Sequence, residues 1–138
     1  MHVIARAIIV TTSVFGVIAP ASAADMTGAE IKAFISGKTG YLETTTDSVT
    51  GKAGQGILYW AEDGTALYKT PIGALWHGKW EIKGNTNCTD WKERQPPGPT
   101  CTRWDKTGDT YSIIDADSGK ARAKVVKTAP GNAEKLAP

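Results

Sequence analysis

The feature that most limits what this chain can become is its punctuation after Gly40. Short runs rich in β-branched and aromatic residues are interrupted there by Glu62-Asp63-Gly64, Lys83-Gly84-Asn85, Lys106-Thr107-Gly108-Asp109 and Asp117-Ser118-Gly119. Glycine admits positive φ and Asp or Asn hydrogen-bonds its own backbone, so each cluster reverses the chain. The segments between and around them, 41–46, 56–61, 65–69, 74–83, 86–92, 100–104, 110–115 and 121–127, are predicted strands. Seven or eight short strands on tight turns predict an antiparallel meander, and closing it into a small barrel would remove its exposed edges. In 74–83, Ala74, Trp76, Gly78, Trp80 and Ile82 share one parity while Leu75, His77, Lys79, Glu81 and Lys83 share the other. That alternation means one buried and one wet face, and Gly78 leaves room for a neighbouring ring or backbone, or a bend.

One helix is predicted, over 27–36. Thr27 and Glu30 have the spacing of a capping box, Ile31, Phe34 and Ile35 form one apolar stripe, and Gly37 stops it. Upstream, Arg6 precedes an apolar run over 7–18, followed by Ala19-Pro20-Ala21-Ser22-Ala23. The run is about 12 residues against roughly 20 for a membrane span, so it reads as a signal peptide cleaved after Ala23 and not as a transmembrane anchor. The domain plan is therefore a leader at 1–23, a single barrel at 24–127 and a flexible tail at 128–138.

Of the 138 residues, loss of 23 leaves 115, enough for one domain. Lys and Arg total 16 against 14 Asp and Glu. Losing Arg6 leaves about +1, which gives no electrostatic case for nucleic acid or an anionic membrane. A multidomain enzyme and a polytopic membrane protein are excluded by size and composition. Export to the periplasm or beyond makes sense of Cys88 and Cys101, an even pair expected to form a disulfide. A redox pair would want Cys-x-x-Cys, and zinc two more ligands.

Chemical motifs are weak. Ser36-Gly37-Lys38-Thr39 has the end of a phosphate-binding loop, but Lys32 stands where its first glycine belongs. His77, the single histidine left after cleavage, falls on the polar face of its strand, and no Gly-x-Ser-x-Gly elbow exists. The acids cluster at turns; Asp115-x-Asp117-x-Gly119 lacks the twelfth-position Glu of a calcium loop, where Val126 stands. Asn87-Cys88-Thr89 matches a glycosylation sequon but carries no information in a bacterial-type exported chain. No catalytic residue, metal or cofactor is expected.

The five tryptophans are roughly threefold above ordinary usage. If Cys88 lies directly across from Cys101, Asn87 faces Thr102, and Trp91 and Trp104 join Trp76 and Trp80 on the face away from the disulfide. A bulge at Pro96-Pro97-Gly98-Pro99 would break that register. Such rings can be plain core or the walls of an apolar pocket.

The capped helix ending in Gly37-Lys38-Thr39, Asp63-Gly64-Thr65, Gly78-x-Trp80-x-Ile82, Cys88-x-x-Trp91, Cys101 and Gly108-Asp109-x-Tyr111 resemble a family of small exported bacterial proteins grouped as a domain of unknown function, DUF995. The resemblance covers about 27–114. It implies a lipocalin-like (calycin-like) barrel in the bacterial envelope and offers no catalytic residues.

The expected fold is thus all-β with one N-terminal helix, a small antiparallel meander barrel with one disulfide. The leading expectation for function is a non-enzymatic periplasmic barrel binding a small apolar or aromatic ligand among Trp60, Trp76, Trp80, Trp91, Trp104 and Tyr111, in a cavity of several hundred cubic ångströms. The alternative is an envelope protein-interaction module or an inhibitor of a cell-wall hydrolase, working through the loop at 90–99 with Trp91, Lys92 and Arg94. An enzyme using carboxylates alone would need two acids converging in a cleft.

Overall fold

The computed structural model describes residues 23–45 and 52–138. The expected leader, Ala23 apart, lies outside the described residues. The elements run β1 (Ala24–Asp25), α1 (Gly28–Ile35), β2 (Lys38–Thr44), β3 (Gly54–Trp60), β4 (Thr65–Lys69), β5 (Leu75–Lys83), β6 (Thr86–Trp91), β7 (Pro99–Thr107), β8 (Thr110–Asp115) and β9 (Ala121–Pro130). From β2 to β9 each strand pairs antiparallel with its successor, and β9 returns to pair with β2. The result is a closed eight-stranded meander barrel, in which no strand of the ring keeps a free edge along its paired length. The short β1 adds to β7, with Asp25 opposite Asp105.

Local chemistry sets the helix. The Thr27 side chain accepts from the Glu30 N–H while the Glu30 carboxylate accepts from the Thr27 N–H, the reciprocal box expected from the sequence. The Glu30 pKa is lowered, first by that backbone hydrogen bond. Ile31 and Ile35 are fully buried. Gly28 donates to the Asn85 side chain in the β5–β6 turn at 2.9 Å, and Phe34 stacks on Tyr111 of β8 with ring centroids 3.9 Å apart. The helix therefore stoppers the end of the barrel where β5 and β7 finish and β6 and β8 begin.

Cys88 and Cys101 are bridged, and they are direct partners in the β6–β7 register. Asn87 faces Thr102, as the cross-strand reasoning required, and the proline-rich turn leaves that register intact. The disulfide lies on the outer wall, which turns Asn87, Thr89 and Trp91 of β6, and Thr100, Thr102 and Trp104 of β7, toward the interior.

The expected boundary at 127 and the loose tail after it are corrected. β9 continues to Pro130, with Thr128, Ala129 and Pro130 opposite Gly40, Thr39 and Lys38. Beyond it, Thr39 Oγ1 donates to the Gly131 carbonyl at 2.6 Å and accepts from the Ala133 N–H at 3.0 Å. The Tyr41 hydroxyl donates to Glu134 at 2.6 Å. Composition concealed this because the anchors are side chains some ninety positions earlier in the chain. Among the described residues, no helix is long and apolar enough to cross a membrane.

Candidate ligand site in the barrel interior

All five indoles reach the barrel core, but they divide between its two ends. Trp80 is buried near the helix end, its Nε1–H donating to the Ala61 carbonyl at 2.8 Å. Tyr111 is half-buried at that same end against Phe34. Trp76 sits opposite Tyr68 toward the other end and is partly buried against the core. These three residues, expected among the ligand contacts, do not line the interior cavity. Trp60, Trp91 and Trp104 do, together with Tyr68.

The space is smaller than expected, about 70 Å³ and not several hundred. Three strand glycines show why. A Cβ at Gly40 would stand 2.6 Å from the Trp60 ring, one at Gly56 2.7 Å from the Tyr68 ring, and one at Gly78 2.8 Å from the Trp91 ring. Each glycine is a notch that lets an aromatic ring from the neighbouring strand lie across it, so rings fill the interior that smaller side chains would have left open. For Trp80 and Trp76 the indoles are packing.

What remains is a cup at the end away from the helix. Its floor is Trp60 and Trp104, whose rings meet edge-on at 5.8 Å, with Leu42, Leu58, Ile113 and Ala123 around them. Its upper wall is polar: Thr44, Thr89, Thr100, Thr102, Asn87 and Arg122. Part of this wall is internally satisfied. Trp104 Nε1 donates to Thr102 Oγ1 at 3.2 Å, Thr102 donates to the Asn87 carbonyl at 3.3 Å, and Thr44 donates to the Gly54 carbonyl at 2.8 Å. Arg122 reaches Asp115 at 2.7 Å, and that guanidinium holds the Asp115 carboxyl down at about 2 against the opposing effect of burial, helped by the Ser118 N–H.

Three polar atoms have no hydrogen-bond partner among the described residues, and all three belong to residues lining this cup: Trp60 Nε1, Asn87 Oδ1 and Arg122 Nε. Buried polar groups are ordinarily paired, because each unpaired one carries a desolvation cost of about 1–3 kcal/mol. All three atoms are sealed within the packing around the cup.

The sequence reading missed the polar wall, although its signal was present. The parity that turned Trp91 and Trp104 inward also turns Asn87, Thr89, Thr100 and Thr102 inward. Arg122 and Asp115 left no such signal, since their meeting depends on the β8–β9 turn.

Other chemistry lies outside. His77 is half-buried, its Nδ1 2.6 Å from Glu93 Oε1, and its backbone N–H donates to Glu93 Oε2. Burial pushes the Glu93 carboxyl up, but the hydrogen bonds from His77 outweigh it and the pKa is lowered. Asp25 and Asp105 converge on the outer wall, both bound by the Arg103 guanidinium at 2.8 Å. Burial first, and then the Asp25 side chain, raise the Asp105 pKa. Asp25 is 80% exposed, so the pair clasps β1 to β7 on an open surface and forms no cleft. The loop proposed for protein contacts is altered too: Trp91 is turned inside, and Arg94 donates to the carbonyls of Pro96 and Gly98 in its own turn. A wider crevice of about 630 Å³ lies on the outer face of β9, β2, β3 and β4 beside exposed Val126.

Fold and site together define a class: a disulfide-bridged closed meander barrel with a small polar-walled cup. No family model, no curated protein and no solved structure matches the chain.

Proposed function

We propose that this is an exported, non-enzymatic barrel of the bacterial periplasm or exterior that holds a small ligand in its cup, between the rings of Trp60, Trp91 and Trp104. The carrying observation is a cavity bounded by three indoles below and by threonine, asparagine and arginine side chains above, toward the end the helix leaves open. The apolar run and small-residue site at the start of the chain support export, and so does the bridged cysteine pair. Kinship with the exported DUF995 family is part of the same proposal and rests on the short motifs named above.

Titration of the protein with small metabolites, followed by tryptophan emission, tests this reading. At least one compound should change the emission saturably, since three indoles form the cup. No response to any compound, with a protein co-purifying instead from envelope extract, would favour the interaction alternative. One observation favours that second reading: Ile72 and Val126 are large apolar side chains left 64% and 56% exposed.

A further inference from the structure

The outer wall of the barrel carries a second concave surface. We infer that the crevice across β9, β2, β3 and β4 is a binding site for a narrow apolar acid, a single hydrocarbon chain ending in one carboxylate. The site is separate from the cup and does not depend on the interior-binding reading.

The strand register lays the crevice out. Lys127, Tyr41, Ile57 and Lys69 are successive cross-strand partners, so they form one row over four strands, about 14 Å long at the usual strand spacing. All four line the crevice. The row is cationic at both ends and apolar in the middle. On the β9 side it is bounded by the bulge that leaves Val126 unmatched between Val125 and Lys127. On the β4 side it is bounded by the β4–β5 turn, where a Cβ on Gly54 would stand 2.9 Å from Pro71 Cβ. That turn is preformed: the Gly73 N–H donates to the Thr70 carbonyl at 2.8 Å and the Ala74 N–H to Thr70 Oγ1 at 3.1 Å. The two large apolar side chains left exposed among the described residues both belong here. Val126 is in the lining, and Ile72 stands between Pro71 and Gly73, which line it too.

Charge fixes the head group. Lys69 and Lys127 line the crevice and no carboxylate does. Among the described residues neither ammonium is ion-paired, and Lys127 lies over the Tyr41 ring at 5.2 Å. The acids nearby face other groups: Glu134 accepts from the Tyr41 hydroxyl, and Glu43 stands opposite Lys124. A ligand carboxylate therefore meets ammonium groups and no lining carboxylate. Shape fixes the body. A flat membrane or a convex protein face would touch Ile72 and Val126 and leave the floor between them empty, whereas a narrow chain fills it. At about 630 Å³ the crevice has room for a whole chain.

The test uses the protein labelled with ¹³C at its Ile and Val methyls and ¹⁵N at its indoles, with four probes: octanoate, octanol, octylammonium and phosphatidylglycerol vesicles. Octanoate is expected to shift the Ile57 and Val126 methyls saturably and to bind about fivefold more tightly than octanol, the margin of an exposed charge pair. Lys69→Gln combined with Lys127→Gln should weaken octanoate about tenfold and leave octanol unchanged. Val126→Asp, at an exposed position, should abolish the octanoate shift at Ile57 while the remaining spectrum stays native. Octanol or octylammonium binding as tightly as octanoate would overturn the acid class. Unmoved methyls would overturn the site, as would shifts confined to the Trp60, Trp91 and Trp104 indoles, which would place octanoate in the cup. Protein sedimenting with the vesicles while octanoate leaves the methyls unmoved would assign this face to a membrane instead. None of these failures touches the cup reading, which the tryptophan titration tests separately.

Discussion

The two ends of this barrel are built from the same strands and solve different problems. At the helix end, Ile31 and Ile35 are 0% exposed, Phe34 stacks on Tyr111, and Trp80 has its N–H satisfied by a backbone carbonyl. The groups that the helix covers most directly are apolar or paired. At the far end the inward positions include Thr44, Thr89, Thr100 and Arg122, and Arg122 Nε goes without a partner among the described residues. A barrel needs one plugged, well-packed end for stability, and the polar end that it leaves uncovered is where a ligand can reach the interior. The contrast teaches where to look for function, and substitutions can break or sharpen it.

The largest expected effect belongs to the helix end. Ile35→Ala should cost about 2–5 kcal/mol in denaturant unfolding, through lost burial and the cavity left behind, without altering the cup. Cys88→Ser should cost about 3 kcal/mol, because the bridge closes a loop across β6 and β7; an unchanged midpoint under oxidising conditions would deny that role. At the open end the effect depends on pH. Asp115 has its folded pKa depressed from an ordinary 3.8 to about 2. Its contribution is therefore fully present above the unfolded value and is lost as pH falls through the folded one. The amount is about 2 kcal/mol, and acid titrations of the unfolding midpoint should show it vanish in Arg122→Met. Thr27→Ala, which removes the helix cap, should cost about 1 kcal/mol. Smallest of all, Asn87→Leu should leave unfolding within about 0.5 kcal/mol or raise stability, because it removes an unpaired acceptor. A loss there as large as that of Ile35→Ala would erase the distinction between the two ends.

What could be read in advance follows the range of the forces involved. The capping box at Thr27 and Glu30 and the alternation from Gly78 to Lys83 are local, and both appear as expected. The β6–β7 register was legible too, since one disulfide fixes which residues oppose each other and hence which way Trp91 and Trp104 point. The notches at Gly40 and Gly56 were not, because which ring lies over which glycine depends on the register with the next strand. Nor was the ordering of the chain end, which depends on Thr39 and Tyr41. As to the site, half of the six residues expected to contact ligand line the cup. Of the others, Trp80 is core and Trp76 and Tyr111 pack against it from partly buried positions, since parity shows which face a ring occupies but not how far along the barrel the packing closes over it.

The most direct test of the account is a high-resolution crystal structure of the protein purified from its own envelope extract. The account requires density for a bound molecule between the rings of Trp60, Trp91 and Trp104. Density for water alone in that space, or side chains shifted so that they fill it, would contradict it.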